Sequence, residues 1–197
     1  MEDVKEKFTI KMKVDRPFEN VITFLIDNAI IWAESQRDRY RSTGRKLEEN
    51  ERDELKKFFG PETLDKTRIK MVPIIENPDF YSTLSKMGIP EPMDLSTAAG
   101  ITYIDTVLIS ERYLTHQSQW LPLIFHELVH IVQYEALGVQ KFMEQYVFGW
   151  ANHGFSYASI PMEKDAFDLG AKYESNTKHG FSVINEVRLR LAGLNEN

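Results

Sequence analysis

Apolar residues recur along this chain with two periods, and the changes between them mark out its elements. Alternation at Phe8, Ile10, Met12 and Val14 predicts a short strand, punctuated by Asp15 and Pro17. From Phe18 to about Arg41 the positions Val21, Phe24, Leu25, Ala29, Ile31 and Trp32 follow helical spacing, which predicts a long helix with a charged C-terminal half. A second helix is expected from Glu49 to Phe59, stopped by the breaker pair Gly60-Pro61. Lys70–Ile75 reads as a strand. Residues 76–100, with Pro78, Pro90 and Pro92, read mostly as loop around one short helix near Tyr81–Lys86. After Gly100, the run Ile101–Ser110 is rich in β-branched and aromatic residues and is the clearest strand in the chain.

The C-terminal half is helical in pattern. One stretch runs from about Gln117 to Leu137 and ends at Gly138. Another covers Gln140–Trp150 and is broken by Asn152-His153-Gly154. Pro161 opens a helix to about Ser175, and Phe181–Leu194 forms the last. The sum predicts an α+β fold, mainly helical with a small β-sheet.

At 197 residues the chain is expected to form a single domain, with an N-terminal part to about residue 95 and a second part over 96–197. Its net charge of −6 disfavours a nucleic-acid partner, which normally meets a basic face. The mixed-sign run Glu34–Lys57 reads as an ion-paired, solvated helix face, with phosphate binding by Arg37, Arg39 and Arg41 as the minor reading. The first residues, MEDVKEKFTIKMKV, contain no apolar core of a signal peptide, so a cytoplasmic location is expected. No stretch reaches 18 apolar residues, so no membrane partner is expected. Oligomeric state is not legible.

There is no cysteine. That removes thiolate catalysis and Cys-ligated zinc, and leaves His and carboxylates as the strong metal ligands. His126-Glu127-Leu128-Val129-His130 supplies them in an HExxH pattern. On a helix, positions four apart share a face, so two imidazoles can converge on one zinc ion. Glu127, beside the first His, is then placed to take a proton from a zinc-bound water and hand it to a leaving amine. Leu121, Ile124, Phe125, Leu128, Val129, Ile131 and Val132 surround the motif, and such a helix should be buried. The structural alternative is a pair of core histidines bonded to backbone or to Glu127.

A third ligand should lie downstream, among Glu135, Glu144, His153, Glu163, Asp165, Asp168, Glu174 and His179. Glu163 is best placed, in the first turn of the helix that Pro161 opens, with the small Ala166 allowing close approach to the HExxH helix. Asp165 and His153 are reserves. A first-turn carboxylate favoured by the helix dipole is the alternative for Glu163.

The segment LPLIFHELVHIVQYEALG followed by SIPMEKDAFDLG resembles the gluzincin clan of zinc metallopeptidases. It is closest to small members with the pattern HELxHxxQ…ExxA, including domains of unknown function in toxin and contractile-injection proteins. The resemblance covers about residues 100–170. It implies a zincin-like fold in which His126, His130 and Glu163 bind Zn²⁺ and Glu127 is the general base. It also implies an edge strand, Ile101–Ser110, that pairs with extended substrate, and an oxyanion stabiliser for which Tyr157, Tyr173 and His179 are available. Gln133 matches the frequent Gln after the second His. Where many gluzincins carry an acid four residues after the ligand Glu, this chain has Phe167.

The leading expectation is therefore a zinc metallopeptidase, a hydrolase acting on a peptide or protein substrate and needing no organic cofactor. The alternative is a catalytically inactive zincin-like binding or structural module, possibly of a toxin or secretion assembly. A weaker third class is a regulatory protein that binds through its N-terminal helices.

Overall fold

The computed structural model describes residues 16–86, 93–113, 117–175 and 179–194. The strand expected at Phe8–Val14 lies outside them, as do Pro90, Pro92 and His116. The order of elements is α1 (Arg16–Arg41), α2 (Glu49–Leu55), α3 (Pro61–Lys66), β1 (Arg68–Val72), α4 (Tyr81–Lys86), β2 (Gly100–Tyr103), β3 (Thr106–Ser110), α5 (Trp120–Asn152), α6 (Pro161–Ser175) and α7 (Val183–Leu194). Short 3-10 turns sit at Leu95–Thr97, Gln117–Gln119 and Tyr157–Ser159. The fold is mainly helical α+β with a three-stranded mixed sheet among the described residues.

The strand order is β1-β3-β2, with β1 parallel and β2 antiparallel to β3. All five residues of β3 are buried, as befits a central strand. The run Ile101–Ser110, expected as one strand, folds instead as the β2–β3 hairpin. Its turn holds Ile104 at φ 64, a conformation that a β-branched side chain rarely adopts. Long-range ion pairs fix that turn. The Arg37 guanidinium donates to both oxygens of Asp105 at 3.0 and 3.2 Å, and Arg41 lies 2.8 Å from the same carboxylate. Arg39 pairs with Glu76 at 2.7 Å. The arginines of the charge run are thus partnered within the fold.

Gly60-Pro61 does more than stop a helix. Gly60 is extended and Pro61 occupies the first turn of α3, where its missing N–H costs nothing. β1 begins at Arg68 rather than Lys70 and ends at Val72.

α5 carries the chemistry, and it is two helical arms joined at Gly138, whose φ of 75 and ψ of 164 lie outside the helical region. The arms correspond to the two helices expected from the sequence. The first arm is buried nearly all round, with Ile124, Phe125, Leu128, Val129, Ile131 and Val132 each at most 1% exposed. It contacts α1, β2, α6 and α7. Phe125 stacks on Tyr173 of α6 at 4.4 Å, and Phe58 meets both rings edge-on. The second arm meets the start of α6 at Gly149, where a Cβ would lie 2.8 Å from Pro161. Only a glycine permits that approach. No helix of the described residues is long and apolar enough to cross a membrane.

Candidate metal centre

The first arm of α5 sets His126 and His130 one turn apart on one face, and α6 brings Glu163 against them from its first turn. Their ligand atoms form a nearly equilateral triangle. The two Nε2 atoms are 3.2 Å apart, and each lies 3.4 Å from Glu163 Oε2. Tetrahedral zinc with bonds of about 2.0–2.1 Å requires ligand atoms about 3.3–3.4 Å apart. The match in spacing and in ligand chemistry is close. Glu163 Oε2 is buried and has no hydrogen-bond partner among the described residues. An acceptor left bare in this way is costly, and a bound cation would satisfy it. Among the described residues these three are also the group of His and carboxylate side chains close enough to share an ion.

The remaining atoms of two ligands are tied down. His130 Nδ1–H donates to Gln133 Oε1 at 2.8 Å, which fixes the tautomer and leaves Nε2 free to ligate. Gln133 in turn donates through Nε2 to the carbonyl of Met162 at 3.0 Å, one residue before Glu163. A single buried amide thus couples the second imidazole to the element that bears the carboxylate. Glu163 Oε1 accepts from the Tyr146 hydroxyl at 2.8 Å, so its Oε2 is turned toward the histidines. His126 is oriented differently. The Phe167 ring packs on it at 4.6 Å between centroids, although Phe167 is itself exposed.

Replacing Gln133 by Leu is expected to lower zinc affinity about 10- to 100-fold, because the His130 tautomer is no longer held. Competition against a chromophoric chelator measures this. An unchanged affinity would mean that packing alone orients the ring.

Glu127 occupies a separate niche beneath β2. The Thr102 hydroxyl lies 2.7 Å from Glu127 Oε2 and 3.0 Å from its carbonyl oxygen. A Cβ on Gly100 would fall 2.6 Å from Oε1. The glycine at the head of β2 therefore makes room for the carboxylate, and the next turn of strand holds it. Burial pushes the Glu127 carboxyl upward, and the nearby imidazoles and Thr102 only partly oppose this.

The other two charged members are shifted by each other. For Glu163, burial works upward, but His130 and His126 overcome it and hold the carboxyl well below the usual range. For His130, burial works downward, but Glu163 overcomes it and raises the ring to about 9. The metal-free centre therefore contains an imidazolium–carboxylate pair at neutral pH. The raised His130 contributes stability that is complete below its unfolded value of about 6.5 and is lost as pH rises through about 9. The lowered Glu163 contributes stability that is complete above about 4.5 and is lost as pH falls through its folded value. The melting-temperature gap between zinc-free parent and zinc-free Glu163→Gln is accordingly expected to be widest near pH 5–6.5 and to close toward pH 9. A gap that widens toward pH 9 would contradict this pairing.

The remaining candidates stand elsewhere. Asp165 pairs with Arg190 at 2.8 Å, and Asp168 meets the same guanidinium at 3.3 Å. His153 Nδ1 lies 2.8 Å from the Gly149 carbonyl, at the end of α5. Glu135 bonds Thr63 at 3.0 Å and pairs with Lys66. Glu144 accepts from Gln140 at 2.8 Å. His179 and Glu174 are exposed. Tyr173 belongs to the aromatic core around Phe125. Tyr157 alone of the proposed oxyanion stabilisers lines the site's cavity, and burial together with the Glu163 carboxylate keeps its phenol protonated.

Tyr146, and Thr102 as the partner of Glu127, are contributions that sequence reading did not assign. Neither carries a local signal, because each acts across a distance of 17 or 25 residues. No protein-family model, curated protein or solved structure matches this chain. The likeness to gluzincins therefore rests on the motif residues themselves.

Proposed function

We propose that this chain is a zinc-dependent hydrolase of peptide bonds. The observation that carries the reading is the 3.2–3.4 Å triangle of two imidazole nitrogens and a bare carboxylate oxygen, with a second buried carboxylate beside it. His126, His130 and Glu163 would hold the ion. Bound zinc supplies a Lewis acid that polarises a scissile carbonyl and makes water acidic enough to attack near neutral pH. Glu127 accepts a proton from the attacking water as its oxygen bonds to the carbonyl carbon. It then returns that proton to the amide nitrogen as the C–N bond breaks. The upward push of burial on Glu127 suits a group that must both take and give a proton. Tyr157 is the residue best placed to donate a hydrogen bond to the developing oxyanion. The edge position of β2, directly over Glu127, supports an extended substrate adding to the sheet there.

The test is zinc titration of chelator-stripped protein, followed by incubation with a mixture of peptides read by mass spectrometry. One zinc per chain and cleavage that the chelator abolishes are expected. Stoichiometric zinc with no cleavage of any peptide would favour a second reading, the inactive zincin-like module. The observation on its side is Phe167, which packs on His126 where gluzincins carry an orienting acid.

A further inference from the structure

The triad forms only one wall of a cavity of about 140 Å³. The opposite walls come from Leu25, Ala29 and Trp32 of α1 and from Phe142, Met143 and Val147 of the second arm of α5. We infer that the enzyme selects its substrate by burying one ring-sized or branched apolar side chain, on a residue flanking the scissile bond, in this cavity. The inference deepens the peptidase reading and rests on it.

Volume sets the occupant's size. An apolar protein cavity of about 150 Å³ stays dry and takes a benzene molecule. A space of about 140 Å³ therefore suits a single phenyl, isobutyl or thioether side chain. Continuity sets its place. Glu127, His130 and Glu163 line the same cavity, so a side chain filling it belongs to a residue next to the bond being cut.

The walls are preorganised. Tyr134 stacks on Phe142 at 3.6 Å, Phe142 on Tyr146 at 5.9 Å, and Tyr146 holds Glu163. This ladder of rings runs from the apolar wall to the ligand itself. On the α1 side, the Trp32 indole N–H is engaged by the Tyr103 hydroxyl at 3.2 Å, which leaves the ring's carbon surface to the cavity. Charge argues for the same occupant. No Lys or Arg lines the cavity among the described residues, while Glu127 and Glu163 do. An acidic side chain there would meet two carboxylates and find no counter-charge. A long basic side chain would lose its hydration against aromatic and aliphatic walls.

Binding tests this independently of turnover. Zinc-loaded Glu127→Gln protein is titrated by calorimetry with capped pentapeptides identical except for a central Phe, Ala or Asp. Phe is expected to bind roughly 10- to 100-fold more tightly than Ala, the effect of burying an aromatic side chain, and Asp more weakly than either. Adding Ala29→Phe, which fills the cavity from α1, should erase the Phe advantage while zinc stoichiometry is kept. Should that variant fail to fold, Met143→Ala, which enlarges the space, should move the preference from Phe to Trp. Equal binding of the three peptides overturns the inference, as does a Phe preference that the cavity variants leave untouched. Parent protein that cleaves all three peptides alike would overturn it too, while the hydrolase reading stands. Cavity-dependent selection of Phe by a parent protein with no turnover would uphold the cavity and overturn the hydrolase.

Discussion

Exchange of Glu127 for Gln is expected to leave one zinc per chain and to slow peptide cleavage by a factor of about 10²–10⁴, the usual contribution of a positioned proton-transfer group. The substitution is nearly isosteric. It keeps a side-chain oxygen for the Thr102 hydroxyl and fits the space that Gly100 opens, so position and packing should persist. What it removes is basicity. Glu127 is not among the three atoms of the ligand triangle, which is why metal binding and turnover should separate in this variant. Parallel metal analysis and kinetics on parent and variant read both quantities. Equal cleavage rates would remove Glu127 from the chemistry.

Stripping the metal should have the largest effect on stability. Zinc present at about a thousand times its dissociation constant stabilises the folded state by about 4 kcal/mol. For a chain of this size each kcal/mol moves the midpoint by about 2–4 °C. The melting temperature is therefore expected to fall by about 8–16 °C on chelation and to recover when zinc is returned. In His126→Ala, His130→Ala and Glu163→Ala proteins the difference between zinc and chelator should nearly vanish, because each loses one of three ligands. Scanning calorimetry at fixed protein concentration measures this. A midpoint that ignores zinc in the parent would mean that the triangle binds it weakly or not at all.

The elements that frame the site were readable because their signals are local. The apolar surround of HExxH, the stop at Gly138 and the opening of α6 by Pro161 are each written within one turn of chain. Together they place His126, His130 and Glu163 on helices that the fold then brings together. The β2–β3 hairpin was not readable. Nothing in Tyr103-Ile104-Asp105-Thr106 favours a turn with Ile104 at positive φ. The force that holds it comes from Arg37 and Arg41 on α1, more than sixty residues away. The groups that orient the ligands show the same division. Gln133 stands one turn from His130 and is found by spacing, whereas Tyr146 reaches Glu163 only because Gly138 bends α5 and Gly149 lets its second arm close on α6. The cavity walls from α1 carry ordinary core residues, and only their position opposite the triad gives them meaning.

The most direct test is a crystal of the zinc-loaded protein measured on both sides of the zinc absorption edge. One anomalous peak within bonding distance of His126 Nε2, His130 Nε2 and Glu163 Oε2, about 2.0–2.2 Å from each, is the expected result. A map with no peak between these atoms in ample zinc, or one in which the two imidazoles point apart, would contradict the account at its foundation.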